Sequence, residues 1–350
     1  MRSSPLSKKT SSLESFLSVQ TLVLVASAWA IFALLFFLLF SVPLPGQERP
    51  EWYGITTYIL ENLAFLGASI LCFRNWRSPQ IVSGRTVWLL IGLGMLSYFV
   101  GNLVLGYWEL GLGKEPDVTP GDFFFLLTYV LLGWGMLLAV LSRQLTLTPP
   151  QWVIVFGILI GSVALAYFLV LKPSQASLAE SVTLPSLEQP AFAQAPPADP
   201  PASPQVAPAA PPVAPEAPVE AAPAEVAPAE EPSTAPGWAI AIEEFLAPFA
   251  SVVLLFYLVG DISLVVMATT LLLAFWGGRF SLSWRFIAAA ALCFYIADLW
   301  FFYAVYNIED YQTGALPEVF FIFSACLFAI GAALEYDLST RSRRTSRRRG

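Results

Sequence analysis

Long apolar runs, separated by short polar or charged segments, make up most of this 350-residue chain. A run of about 20 apolar residues is long enough to cross a bilayer as a helix. Eight runs reach that length, at about residues 17–41, 54–73, 86–107, 122–142, 151–171, 246–275, 286–305 and 318–334. The pattern predicts an all-α integral membrane protein with eight transmembrane helices.

Composition supports the membrane class and narrows the chemistry. Hydrophobic residues make up 57% of the chain and charged residues 12%, whereas a soluble domain carries about 25% charged residues. Histidine is absent, which excludes an imidazole base and histidine-ligated haem, zinc or di-iron. Cys72, Cys293 and Cys326 lie in apolar runs without metal-ligand spacing and are predicted to be core residues. We therefore expect neither a metal nor a cofactor.

The basic residues predict an orientation. With the N-terminus in the cytoplasm, 15 of the 18 basic residues fall in cytoplasmic segments, and only Arg49, Lys114 and Lys172 lie outside. The positive-inside rule thus places both termini in the cytoplasm. We expect a bacterial inner membrane or a thylakoid membrane.

A basic tail follows the last span. It contains Arg341, Arg343, Arg344, Arg347, Arg348 and Arg349. Such a tail sets topology and also suits contact with anionic lipid. Nucleic acid is not an expected partner, because no folded basic domain accompanies the tail.

Residues 173–236 differ from the rest of the chain. They hold 17 of its 28 prolines, with alanine, valine and glutamate between them. This composition cannot bury enough apolar surface to offset chain ordering, so it predicts a disordered linker. The orientation places the linker on the non-cytoplasmic side.

An internal repeat is visible in the sequence. Residues Trp88 to Arg143, shifted by 196 positions, lie on Trp284 to Ser339 without a gap. The predicted organisation is a tail (1–16), a first four-helix repeat (17–145), a fifth helix that starts the second repeat (146–172), the linker (173–236), the remaining three helices (237–338) and the basic tail (339–350). Because four helices per repeat is an even number, the two repeats are expected to be parallel.

Polar residues inside the apolar runs are the main candidates for function. Glu61, Asp261 and Asp298 lie away from the span ends, and Asn102 is the repeat counterpart of Asp298. A charge within a span is costly and indicates a functional site by default. No lysine or arginine lies within any predicted span, so these acids have no evident basic partner there.

Two pairs of polar residues have the same spacing in the two repeats. Asn102 and Asp122, like Asp298 and Glu318, are twenty positions apart across a predicted helical hairpin. Such a pair could share a proton, bind a cation or orient a lipid head group. The structural alternative is that Asp122 and Glu318 cap helices and that Asn102 and Asp298 hydrogen-bond across packed helices.

The same segments resemble a known family. The runs Tyr98 to Asn102, Pro120 to Tyr129 and Gly133 to Gly135 resemble the multi-helix membrane sensor region found ahead of some bacterial diguanylate cyclases. The second half repeats the likeness at Phe294 to Asp298 and Pro317 to Phe321. Asn102 replaces the expected acid, the proline-to-acid spacing is shorter, and the sequence contains no cyclase signature. The resemblance implies a sensor-like module in two tandem copies, without its own enzyme.

The resulting functional hypothesis is a non-enzymatic membrane module for sensing, assembly or scaffolding that acts through a membrane protein partner. The partner's identity stays open. One alternative is an ion-coupled transporter that uses the intramembrane carboxylates. Another is an intramembrane lipid-modifying enzyme, in which Asp261 and Asp298 would act as acid and base.

Overall fold

The computed structural model describes residues 18–42, 49–114, 118–141, 147–171, 236–274, 281–308 and 311–347. Within these ranges the chain forms helices, turns and short connections, and no strand. The N-terminal tail, residues 173–235 of the predicted linker, and Arg348 and Arg349 lie outside the described residues.

Nine α-helices are found in the described part of the chain. They are α1 (Val19–Phe40), α2 (Glu51–Arg77), α3 (Arg85–Gly106), α4 (Pro120–Leu141), α5 (Pro149–Ala166), α6 (Gly237–Leu246), α7 (Ala250–Ala274), α8 (Ser281–Asn307) and α9 (Val319–Arg347). Helices α3 and α5 continue as π-helical turns, and 3₁₀ turns precede α7 and α9. These turns are Tyr107–Gly111, Tyr167–Leu171, Ala247–Phe249 and Leu316–Glu318.

Eight helical segments of the described chain are long and apolar enough to cross a membrane. This finding agrees with the predicted number of spans. The sixth segment begins at Gly237, nine residues before the predicted start. Pro248 lies in the 3₁₀ turn between α6 and α7, where it tightens the helix locally without ending the span. Helix α9 also extends to Arg347, so the predicted tail begins as a continuation of that helix.

Six of the helices form a closed ring. Each packs against the next in the order α2, α3, α4, α7, α8 and α9, and α9 packs against α2. Helix α1 lies outside the ring, mainly on α9, and α5 lies outside it, mainly on α7. Their outward faces carry large apolar side chains that remain exposed, including Leu24, Leu39, Val153 and Ile160. Such faces suit contact with lipid.

The two ends of the bundle differ in charge. We call the end with the α1–α2, α3–α4 and α8–α9 connections the acidic end, and the end with the α2–α3 and α4–α5 connections the basic end. The acidic end carries Glu109, Asp122, Glu243 and Glu318, and the basic end carries Arg74, Arg77, Arg85 and Arg285. The membrane sidedness of these ends stays a prediction.

Close helix contact in the ring depends on small residues. A Cβ atom on Gly121 of α4 would lie 2.9 Å from the carbonyl oxygen of Gly101 in α3. A Cβ on Gly331 of α9 would lie 2.8 Å from Cδ1 of Ile287 in α8. These glycines therefore set the separation of the two hairpins.

A packed polar cluster lies at the basic end. Ser83 donates a hydrogen bond to Glu335 at 2.7 Å, and Trp88 donates its indole N–H to Ser83 at 2.8 Å. Ser339, one turn after Glu335, lies 3.4 Å from the same carboxylate oxygen. The Glu335 cluster (Ser83, Trp88, Glu335 and Ser339) is fully buried and joins the α2–α3 connection to α9.

Candidate functional site

A cavity of about 350 Å³ lies inside the ring toward the acidic end. Five carboxylic side chains line it: Glu61, Glu109, Asp122, Asp298 and Glu318. They come from α2, the π-helical turn after α3, α4, α8 and the 3₁₀ turn before α9. We call this space the acidic cavity.

Each of the five carboxylic side chains contacts a tyrosine hydroxyl. Tyr98 donates to Glu61 at 2.8 Å, Tyr58 to Glu109 at 2.7 Å, Tyr257 to Asp122 at 2.7 Å and Tyr311 to Glu318, and Tyr129 contacts Asp298. A phenol stabilises a carboxylate by donating a hydrogen bond but brings no positive charge. The tyrosines therefore supply hydrogen bonds to the cavity wall without adding a positive charge.

Tyr311 lies outside the membrane-spanning segments, and its protonation can be assigned. Burial and the neighbouring Glu318 carboxylate raise the pKa of the Tyr311 phenol well above its ordinary value. The phenol therefore stays protonated at neutral pH and remains a donor to Glu318.

Asp122 and Glu318 each serve two purposes. One oxygen of Asp122 accepts the backbone N–H of Thr119 at 2.7 Å, and Glu318 accepts the N–H of Ala315 at 3.0 Å. Both are bonds to the residue three positions earlier, as expected for helix starts. The tyrosine bonds show that capping does not use up either carboxylate. Asp122 and Glu318 therefore cap helix starts and also line the cavity.

Asp261 and Asp298 meet at one phenol. The Tyr129 hydroxyl lies 2.8 Å from Asp261 and also contacts Asp298. A phenol carries a single proton, so it donates only one of these two bonds. The other contact requires a proton on one of the carboxyl groups.

Asp261 does not line the cavity. Its side chain is 1% exposed, and its Oδ2 has no hydrogen-bond partner among the described residues.

Asn102 lies in the cavity wall beside Glu61. Its side chain is only 3% exposed, and its amide forms a hydrogen bond with the Glu61 carboxyl group. Asn102 of α3 thus connects to Glu61 of α2 in the cavity wall.

Aromatic rings form the deeper part of the cavity wall. The Tyr98 ring stacks on Phe65 with centroids 3.8 Å apart. It also contacts Phe125 at 4.9 Å and Phe294 at 5.4 Å. Phe294 in turn contacts Tyr129 at 5.5 Å. The carboxylates thus adjoin a continuous aromatic floor made by Tyr98, Phe125, Tyr129 and Phe294.

Basic side chains close to the cavity are occupied elsewhere. Arg49 donates to the carbonyl oxygens of Ser41 at 3.1 Å, Gln312 at 2.6 Å and Thr313 at 2.9 Å. Lys114 forms an ion pair with Glu243 at 2.7 Å. Among the described residues, neither lysine nor arginine lines the acidic cavity.

The cavity reaches the surface of the bundle at the end of α8. Val305, Tyr306 and Ile308 line it and are 37%, 48% and 40% exposed. The deeper residues Asn102 and Asp298 are buried. A molecule could therefore enter beside α8 and reach the buried carboxylates.

Most of the polar residues predicted from the sequence as functional candidates lie in or beside the acidic cavity. Glu61, Asn102, Asp122, Asp298 and Glu318 all line the cavity, and Asp261 lies next to it through Tyr129. Glu109 and the five tyrosines did not stand out in the sequence. Glu109 is near the end of an apolar run, where acids are common, and tyrosines are typical of span ends.

The described residues contain no group of three or more histidine, cysteine, aspartate or glutamate side chains placed to hold a metal ion.

No protein-family model, curated protein or solved structure matches this chain. The likeness to the membrane sensor region therefore stays a prediction from the sequence.

Proposed function

We propose that this chain is a non-enzymatic, sensor-like membrane module whose acidic cavity is its ligand site and which acts through a membrane protein partner. The observation that carries the proposal is that both halves of the chain build the cavity. Glu61, Asn102 and Glu109 come from the half before the linker, and Asp298 and Glu318 come from the half after it.

Hydrogen bonds between the halves cross the cavity wall. Tyr129 of α4 contacts Asp298 of α8, Tyr257 of α7 donates to Asp122 of α4, and Thr313 donates to Glu109 at 2.7 Å. A ligand that binds these carboxylates competes with the bonds between the halves. It thereby changes the relative stability of alternative arrangements of the bundle, as a sensor requires.

We also propose that the bundle consists of two parallel four-helix repeats. Equivalent contacts support this organisation. A Cβ on Gly135 would lie 3.3 Å from the Val87 carbonyl oxygen, and a Cβ on Gly331 would lie 3.3 Å from that of Ser283. Each pair of residues is related by the 196-residue shift. The outer helices differ, since α1 packs mainly on α9 whereas α5 packs mainly on α7.

The surroundings of the module are part of the proposal. The basic residues support cytoplasmic termini and a linker on the other side of the membrane. We propose a bacterial inner or thylakoid membrane as that membrane. The six arginines after residue 340 support contact with anionic lipid.

The test compares the partners of three forms of the protein purified from native membranes in gentle detergent. The forms are the wild type, the double variant Asp298→Asn/Glu318→Gln, and the control variant Glu335→Gln. The control changes a buried carboxylate that does not line the cavity. We expect a stoichiometric partner on the wild type and on Glu335→Gln, and an altered amount on the double variant. Normal accumulation with unaltered partners in all three would count against a sensing role for the cavity.

One observation favours the ion-coupled transporter as a second candidate. The Asp261–Tyr129–Asp298 contact holds a proton between two buried carboxyl groups, and such carboxyls serve as proton sites in carriers. Proton flux measured in proteoliposomes distinguishes the transporter from the sensor-like module. A flux in the wild type that is lost in Tyr129→Phe would support the transporter. The same contact brings together the two aspartates that the lipid-modifying enzyme would use, but Asp261 does not line the cavity, so a substrate in the cavity would reach only Asp298.

A further inference from the structure

A cluster of buried titratable side chains lies where the two halves of the chain meet. Asp261 of α7 and Asp298 of α8 hydrogen-bond with each other, and both contact the Tyr129 hydroxyl of α4. We call these three residues the aspartate–tyrosine cluster. A hydrogen bond between two carboxyl groups requires a proton on one of them, and the phenol supplies only its own. The cluster therefore holds a carboxyl proton when its contacts are made.

The surroundings of the cluster favour the bound proton. Asp261 and Asp298 are 1% and 6% exposed, and two carboxylates in contact repel each other strongly where water is excluded. Arg49 acts on Glu318, and within the described part of the chain neither lysine nor arginine acts on the aspartate pair. The groups that face the pair are acidic or phenolic: Glu61 of α2, Tyr98 of α3, Tyr257 of α7 and Tyr295 of α8, with Asp122 of α4 bonded to Tyr257, Glu318 before α9 acting on Glu61, and the Ser162 carbonyl of α5 bonded to Tyr295.

The equivalent place in the other half carries no such cluster. The residues that correspond to Asp261, Asp298 and Tyr129 by the 196-residue shift are Phe65, Asn102 and Ala325. Phe65 is fully buried and stacks on an aromatic ring. Apolar packing thus suffices to join helices at this place, whereas a buried acid is costly and indicates a function.

The cluster is connected to one end of the bundle. Asp298 lines the acidic cavity, which opens toward the acidic end. Toward the basic end, the pair is followed by the buried apolar side chains of Leu264, Ala268 and Leu271 in α7 and Ile287 in α8. A proton therefore reaches Asp298 from the compartment at the acidic end.

Release of the proton has a structural consequence. Two carboxylates then face each other between α7 and α8, and the Tyr129 phenol donates to only one of them. We propose that the aspartate–tyrosine cluster is a pH switch, which stabilises the junction of α4 with α7 and α8 by a proton taken up through the acidic cavity and weakens that junction when the proton is released. The inference rests on the proposed sensing function and names the proton as its signal.

The first experiment measures the stability of the full chain in detergent as a function of pH. One proton more on the folded state raises the unfolding equilibrium constant about tenfold per pH unit, starting from the Asp value of about 3.9 in an unfolded chain. We expect Asp261→Asn and, independently, Asp298→Asn to remove this slope, because a single carboxylate accepts the Tyr129 hydroxyl without a further proton. The control Glu51→Gln, at an exposed position in α2, should keep it. Equal slopes in the wild type and both aspartate variants would overturn the proposal.

Amide hydrogen exchange tests the effect of proton release on the junction. The wild type and either aspartate variant are compared at the same pH, so that the intrinsic pH dependence of exchange cancels. We expect equal exchange in α4 and α7 at low pH and faster exchange in the wild type at high pH, where only the wild type carries two carboxylates in contact. Equal exchange at every pH would reject the switch.

The outcomes for the switch and for the proposed function are separable. A pH slope that the aspartate variants remove, together with the same partners at low and high pH, would retain the switch and count against the sensing role. Partners that respond to Asp298→Asn/Glu318→Gln, in a protein whose pH slope the aspartate variants leave unchanged, would retain the sensing role and reject the switch. A proton flux that is lost in Tyr129→Phe would overturn the one-sided access, because transport requires exchange with both compartments.

Discussion

The two ends of the bundle both contain buried carboxylates, but the surroundings of these carboxylates differ. At the basic end, Glu335 is fully buried against Ser83 and Ser339 and is not part of the cavity wall. At the acidic end, carboxylates such as Glu61 and Glu318 are bonded by tyrosines and face an open volume. A carboxylate packed on all sides holds helices together, whereas one on a cavity wall can also contact a ligand. The distinction predicts large stability effects at one end and binding effects at the other.

The largest loss of stability is expected for Glu335→Ala. The change removes the acceptor of the Ser83 hydroxyl and leaves a space between the α2–α3 connection and α9. We expect a loss of about 3 kcal/mol in the free energy of unfolding. Thermal unfolding in detergent measures it. Glu51→Ala, at an exposed position in the first turn of α2, is the control, and equal midpoints for the two variants would contradict the structural role of Glu335.

A somewhat smaller loss is expected for Gly121→Ala. The added Cβ would lie 2.9 Å from the Gly101 carbonyl oxygen and 3.0 Å from the Thr119 Oγ1. A backbone atom cannot move aside without separating α3 from α4, so we expect a destabilisation of about 2 kcal/mol. Gly157→Ala in α5 meets nothing within 4 Å and should not destabilise the protein. A Gly121→Ala variant as stable as Gly157→Ala would disprove the close approach at the acidic end.

The variant Tyr129→Phe is expected to lower the free energy of unfolding by about 1–2 kcal/mol. The ring and its packing remain, but Asp261 and Asp298 lose the hydroxyl that joins them. Tyr295→Phe is the matched control, because its hydroxyl donates a single bond to the Ser162 carbonyl oxygen at 2.7 Å. Comparison of the two unfolding midpoints checks the prediction. A smaller effect at Tyr129 than at Tyr295 would show that the shared phenol does not stabilise the aspartate pair.

The smallest stability effect is expected for Glu61→Gln. The amide oxygen can still accept the Tyr98 hydroxyl, so we expect a change within about 1 kcal/mol. Glu335→Gln likewise keeps an acceptor for the Ser83 hydroxyl and should lose less stability than Glu335→Ala. The unfolding midpoints of the three variants check the prediction, and a loss at Glu61→Gln as large as that of Glu335→Ala would contradict it.

Much of the architecture could be predicted from the apolar runs. The eight predicted spans correspond to eight helical segments, because a chain in lipid must satisfy its backbone hydrogen bonds within each helix. The helix bounds were less predictable. Glu51 and Arg77 extend α2 beyond the apolar run, since polar residues continue a helix once it leaves the hydrocarbon region.

The site could be predicted only in part. Glu61, Asp298 and Asn102 stand out because polar residues are rare inside a span. Their tyrosine partners do not stand out, because a tyrosine is compatible with lipid, core and interface alike. Tyr129 and Asp298 are 169 positions apart and Tyr98 and Glu61 are 37 apart. No local pattern relates residues over such separations.

The sequence by itself determined the membrane class, the number of spans and the presence of acids that need an explanation. Each of these depends on hydrophobicity summed along a short segment, which is a local property. Only the tertiary structure decided that the acids of both halves face one cavity and that each of them contacts a tyrosine hydroxyl. Apolar residues that face lipid and those that face other helices are chemically alike, so the order of helices in the ring depends on packing between distant segments.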